Sequence, residues 1–143
     1  MPDPAFWDSS ALVPLCVEEP FTDRILSLCK DYELVVWWAT PVEIAGALAR
    51  LLRLRKLKIA DWTEARERAK RLSRWWTVVQ PSDTVRDSAL GLVQLYDLRA
   101  ADSLQLAAAL EWCGDQPQGR VFVSADRRLR EAALICGFDA PQL

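Results

Sequence analysis

Four carboxylates, Asp8, Glu43, Asp102 and Asp126, are the residues of this 143-residue chain on which chemistry could be built. The chain contains no histidine, which excludes Ser-His-Asp and Cys-His nucleophile systems and every histidine-ligated metal. Acid–base or metal chemistry must then come from carboxylates, with Lys, Arg, Tyr or water as helpers. Asp102 is the least expected of the four. Its surroundings, RAADSLQLAAAL (99–110), read as a helix apolar on nearly every side, so most of it should be buried. A carboxylate carried into such an interior is costly unless it finds a partner.

The elements that must position these acids alternate between strand and helix. AFWD (5–8) reads as a short strand, and a brief helical stretch follows, interrupted at Pro14. TDRILSLCKDY (22–32) is a helix and ELVVWW (33–38) a buried strand. Residues 40–57 and 61–76 form two helices, the second strongly charged, before the strand TVVQ (77–80). A helix then starts at Pro81–Ser82–Asp83 and runs to about Tyr96. After the helix of Asp102 come the turn-rich GDQPQG, the strand RVFVSA (120–125) and a last helix that stops at Gly137. This alternation predicts a three-layer α/β sandwich with a mostly parallel central sheet.

In such sheets ligands bind at the carboxyl edge of the strands. Asp8 ends the first strand, Glu43 sits three residues into the helix after the second, and Asp126 follows the strand 120–125 directly. The helix of Asp102 runs into that same strand from the opposite direction, so it must begin near the carboxyl edge. Four acids distant in sequence should therefore meet at one end of the sheet.

Helix capping accounts for each acid separately. Thr40 as N-cap, Pro41 at N1 and Glu43 closing a capping box make a favourable helix start. DSLQ makes Asp102 an N-cap with Gln105 at N3, and Asp8 and Asp126 can cap the helices they precede, at about 1 kcal/mol per site. Capping does not explain why all four converge without a comparable set of cations. Clustered carboxylates raise one another's pKa unless a cation neutralises them. Mg²⁺ or Mn²⁺ is the natural candidate, because hard cations take oxygen ligands. One such metal, or two roughly 4 Å apart, can activate water and shield a phosphodiester in an in-line displacement.

The composition bounds the rest. With 51% hydrophobic residues and five glycines the chain should be globular, one domain over 1–143. The segment MPDPAFWDSS has no signal-peptide pattern, and the longest apolar run, LVVWWA (34–39), is too short to span a bilayer. A soluble, cytoplasmic protein with no membrane partner is expected. Cys16, Cys29, Cys113 and Cys136 show no zinc spacing and read as buried reduced thiols. The formal charge of −2 hides a segregation: residues 50–74 hold ten basic and three acidic residues, leaving −9 on the remainder. Such an arm is either a surface for a polyanion or a solvated helical hairpin.

The stretches FWDSSALV, ATPVEIAGAL, LRAADSLQLAAAL and VFVSADRRLREAA, in this order and spacing, resemble PIN-domain ribonucleases, specifically the VapC-type toxins of bacterial toxin–antitoxin pairs. The resemblance covers essentially the whole chain and implies a single PIN domain. It further implies metal-dependent endoribonuclease activity with Mg²⁺ or Mn²⁺, a homodimer, and inhibition by a VapB-like antitoxin whose tail fills the site. The family's acidic quartet falls on Asp8, Glu43, Asp102 and Asp126. Asp8 and Asp102 become the main metal ligands, with Asp126 completing the site directly or through water. Glu43 positions water at the metal or acts as base. Ser10 and Ser124 match the family's hydroxyl positions, as hydrogen-bonders behind the ligands or as helix caps.

Arg99, Arg127 and Arg128 flank the acids, either meeting RNA phosphate or lying solvated. The basic helices at 50–74 hold RNA backbone by counterion release, or serve the antitoxin or dimer contact. Trp62, Trp75 and Trp76 either stack bases or belong to core and interface. Two phosphoryl-transfer folds fit poorly. A dehalogenase-like phosphatase wants a second Asp where Ser10 stands, and a receiver domain wants an acidic pair and a late Lys that DSSA and SADRR do not supply. A PIN-like fold used only as a binding module is the remaining alternative.

Overall fold

The computed structural model describes residues 2–143. Its centre is a sheet of four parallel strands, β1 (Asp3–Trp7), β2 (Tyr32–Trp37), β3 (Thr77–Val79) and β4 (Phe122–Val123), in the order β3-β2-β1-β4. The helices are α1 (Ser9–Cys16), α2 (Thr22–Asp31), α3 (Thr40–Arg53), α4 (Ile59–Leu72), α5 (Asp83–Leu95), α6 (Ala100–Trp112) and α7 (Arg127–Cys136). Alternate strand side chains enter opposite cores. Ala5, Trp7, Leu34, Val36 and Val123 pack with α1 to α4, whereas Phe6, Val35, Trp37 and Phe122 pack with α5 to α7. Both faces are therefore covered, which is why β2 reads as an unbroken apolar run. The expected three-layer α/β sandwich is what forms.

From β1 the chain steps outward to β2 and β3, and α5 and α6 then return it to β4 on the far side of β1. The direction of winding reverses between β1 and β4, so their carboxyl ends flank a topological switch point. The backbone N–H of Asp8 donates to the Val123 carbonyl at 3.0 Å, fixing these two strand ends against each other. Behind them Phe122 stacks on Phe6 at 5.4 Å between centroids and meets Phe138 at 5.6 Å.

Several boundaries differ from those read in the sequence. Pro14 lies inside α1 instead of interrupting it; the helix loses one backbone bond there and ends two residues later. The helix expected over 40–57 stops at Arg53, because Arg55 adopts a left-handed φ of 56°. No glycine marks that turn, so composition could not reveal it. α4 runs from Ile59 to Leu72 rather than over 61–76. The strand expected over 120–125 is regular only at Phe122–Val123, with Val121 bridging Asp139 beyond α7. Gly137 does end α7, at φ 114°. A Cβ there would lie 3.0 Å from Gln118 Nε2 and 3.2 Å from Pro117 Cγ, so only glycine fits both the conformation and the space.

The aromatic stack should hold β4, and with it Ser124 and Asp126, against β1. Phe122→Ala is expected to cost about 3–5 kcal/mol in urea unfolding. A loss under about 1 kcal/mol would show that the stack does not hold this seam.

Candidate active site

Asp8 follows β1 directly and is 2% exposed. It occupies the N-cap position of α1, yet its side chain caps nothing. Its Oδ2 instead accepts hydrogen bonds from the Ser10 and Ser124 hydroxyls, the latter at 2.8 Å. Each serine is itself anchored, since Ser10 Oγ accepts from the Ala125 N–H and Ser124 Oγ from the Asp126 N–H, both at 3.0 Å. Ser10 and Ser124 are thus hydrogen-bonders to Asp8, joining the ends of β1 and β4. Oδ1 receives only a 3.4 Å contact from Ser9 Oγ.

Glu43 lies in the first turn of α3 but closes no capping box. The helix starts at Thr40 itself, with Ala39 at the N-cap position and no side-chain cap. Glu43 instead accepts from Ser9 Oγ at 3.0 Å and from Gln105 Nε2 at 3.2 Å on each oxygen. Gln105 also reaches Thr40 Oγ1 at 3.4 Å. Asp102 is likewise no N-cap, because α6 begins at Ala100 with Arg99 at that position. It stands half-buried, one turn before Gln105 on the same helix face. Asp126 alone caps as expected, its Oδ1 accepting from the Leu129 N–H at 3.0 Å.

In the sequence Ser9 was not singled out, and Thr40 and Gln105 were placed only as capping partners. Gln105 carried a signal: it is the polar residue at i+3 from Asp102 on a helix otherwise apolar over 104–110. It is fully buried, and its Oε1 has no partner, a state that costs about 1–3 kcal/mol.

The four acids lie in one another's electrostatic field. Burial, opposed by the two serine hydrogen bonds and reinforced by Glu43 and Asp126, raises Asp8 from 3.8 to about 6. Burial, with the charges of Asp126 and Asp8 added and Arg99 opposing, lifts Asp102 from 3.8 to about 6. Burial also raises Glu43, against the bonds from Gln105 and Ser9 and with the Asp102 charge. Among the described residues none of the four forms an ion pair. Nor, among those residues, are three His, Cys, Asp or Glu side chains already gathered as a metal cage. Asp8, Glu43 and Asp126 are turned toward protein donors, while Asp102 is the carboxylate left without one. The donor set is all oxygen, of the kind that takes Mg²⁺ or Mn²⁺.

A cleft of about 540 Å³ opens beside Asp102 and Asp126, and Arg99, Arg127 and Arg128 line it. Arg127 pairs with Glu131 at 3.2 Å and Arg128 with Asp97 at 3.3 Å, both on the surface. The basic segment follows α3 and α4. Within it Arg68 is tied to Glu64 and to the Cys16 carbonyl, and Arg66 stacks 4.6 Å above Trp62. Trp62 and Trp76 pack against the core, while Trp75 is 81% exposed. All four cysteines are free, but only Cys16 is fully buried. No helix among the described residues is long and apolar enough to cross a membrane.

No protein-family model matches the chain, and no curated protein does either. Solved structures do match. The crystal structure of PAE2754 from Pyrobaculum aerophilum superposes with a TM-score of 0.67 at 22% identity, over 96% of this chain and 89% of that one. A chain of a toxin–antitoxin complex from Klebsiella pneumoniae superposes with a TM-score of 0.62 at 13% identity, over 85% of this chain and 86% of that one. Likeness at this level establishes the fold.

The raised carboxylates set a pH dependence for the metal-free protein. Between about 4 and 6 the native state binds more protons than the unfolded chain, so this contribution to stability is present at low pH and lost as pH rises through about 6. In EDTA, the melting temperature should fall by roughly 2–5 °C between pH 5 and pH 7.5. Asp102→Asn should shrink that fall. Equal slopes for the two proteins by calorimetry would show that Asp102 does not feel its neighbours.

Proposed function

We propose that this chain is a metal-dependent endoribonuclease toxin of the VapC type, acting as a homodimer and restrained by a VapB-like antitoxin. One observation carries the reading: four acids from four separate elements converge at the switch point of the sheet with no ion-paired cation among the described residues, and three of them, Asp8, Glu43 and Asp102, hold their protons more tightly than free carboxyls. Capping, the competing explanation, accounts for Asp126 alone. The likeness of fold to a chain of a toxin–antitoxin complex supports the biological setting.

In this reading Asp8, Asp102 and Asp126 hold Mg²⁺ or Mn²⁺. The bound cation supplies Lewis-acid activation of water and neutralises charge at the scissile phosphodiester. Ser10 and Ser124 occupy Oδ2 of Asp8 and keep its carboxylate in one rotamer. Glu43, its affinity for a proton raised by burial, takes the proton of the attacking water. Arg99, Arg127 and Arg128 receive RNA phosphate in the adjoining cleft. The surface pairs of Arg127 and Arg128 are worth little and are readily exchanged for phosphate.

A second reading, a catalytically silent PIN-like binding module, draws on the carboxylates not being gathered at ligand spacing. One experiment separates the two. Purified protein, freed of any partner, is incubated with total RNA and Mg²⁺ or Mn²⁺, beside Asp102→Asn and an EDTA control. Discrete fragments are expected, reduced at least about a hundredfold in the variant and abolished by EDTA. Wild type and variant behaving alike, with no metal-dependent cutting, would return the acids to a binding module. If cutting is seen, Arg99→Ala should raise KM for RNA several-fold with kcat little changed; an unaltered KM would remove Arg99 from the substrate path.

A further inference from the structure

Gln105 is fully buried in a stretch of α6 whose next four residues, Leu106 to Ala109, are fully buried and apolar. Its Nε2 is directed at both oxygens of Glu43 at 3.2 Å and at Thr40 Oγ1 at 3.4 Å, while its Oε1 has no partner. Turning the amide over would set Oε1 against two carboxylate oxygens, so the donor must face Glu43. A methionine would fill nearly the same volume and leave no orphaned carbonyl. What the glutamine offers in place of that packing is its set of bonds to Glu43 and Thr40, so its presence in an apolar stretch is tied to the carboxylate it holds.

The bonds also cross the sheet. α3 belongs to the layer of helices on one face and α6 to the layer on the other. Gln105 joins them over the carboxyl end of β2, gripping Thr40 and Glu43 in the first turn of α3. Asp102 stands three residues earlier on the same face of α6. One rigid helix thus presents both the unpartnered carboxylate of the site and the arm that holds Glu43.

We infer that Gln105 is a positioning residue, clamping the Glu43 carboxylate at a set distance from Asp102 through a bidentate amide bond across the sheet edge. This rests on the endoribonuclease reading above. Ser9 completes the hold from α1, donating its hydroxyl proton to Glu43 at 3.0 Å, with Asp8 Oδ1 3.4 Å away.

The test is Gln105→Met, read by thermal unfolding, RNA-cleavage kinetics and NMR of the Gln105 side-chain amide. The variant should melt within about 5 °C of wild type, because the amide bonds given up offset the orphaned carbonyl removed, lose about ten- to a hundredfold in kcat, and keep KM for RNA. In a Glu43→Gln background it should lose almost nothing further, because the two residues act as one unit. A kcat equal to wild type, or a kcat loss that merely tracks a lowered melting temperature, overturns the inference. Should wild type cut no RNA, the endoribonuclease reading fails and the amide signal decides alone. Gln105 Nε2 protons protected from exchange in wild type and released in Glu43→Ala keep the clamp; protection unchanged in Glu43→Ala overturns it.

Discussion

Burying Asp8 at the seam between β1 and β4 is the constraint around which the carboxyl edge of this sheet is arranged. The position follows directly from a strand whose last three residues are fully buried, which leaves Asp8 only 2% exposed. The protein answers with two hydroxyls, each held in turn by a backbone N–H of the β4 loop. That network offsets part of the desolvation and binds the two strand ends together. It does not supply a positive charge, and burial still raises the Asp8 carboxyl from 3.8 to about 6.

The remaining acids follow the same logic at lower burial. Asp102 faces the same field from α6 with no hydrogen-bonded partner, and Glu43 is held by neutral donors alone. Arginine is present nearby, yet Arg127 and Arg128 turn to Glu131 and Asp97 at the rim. The charge imbalance is therefore concentrated at the sheet edge while the cations line the cleft beside it. In the endoribonuclease reading proposed above, such separation would suit a substrate carrying phosphates to a site that also takes a cation. An acidic site surrounded by acidic surface would repel that substrate.

Fold and site differ in what sustains them. The sandwich depends on apolar alternation across β1, β2 and β4 and on the packing of seven helices over two faces, interactions that tolerate many sequences. This is why structures 22% and 13% identical share it. The site depends on individual atoms: a hydroxyl within reach of one oxygen of Asp8, an amide facing both oxygens of Glu43. Two of these contacts, Ser124 to Asp8 and Gln105 to Glu43, join residues 116 and 62 positions apart, so no local pattern encodes them.

The amino-acid sequence by itself determined the alternation of strands and helices, the sheet buried on both faces, and the arrival of Asp8, Glu43, Asp102 and Asp126 at one edge. Each follows from short-range periodicity and from where a strand ends. Ser10 and Ser124 came into view only through the resemblance to a known family. Only the tertiary structure decided what each side chain does there. It turned Glu43 from a capping box toward Gln105 and Asp8 from an N-cap toward two serines, because α3 and α6 approach across the sheet edge and β1 and β4 lie side by side. It left Asp126 as the one acid that caps. It ended α3 two residues before a left-handed arginine, Arg55, that no turn residue announces. Hydrogen bonds across the sheet outcompeted local capping wherever the fold brought a better partner, and that choice depends on packing rather than on neighbours in the chain.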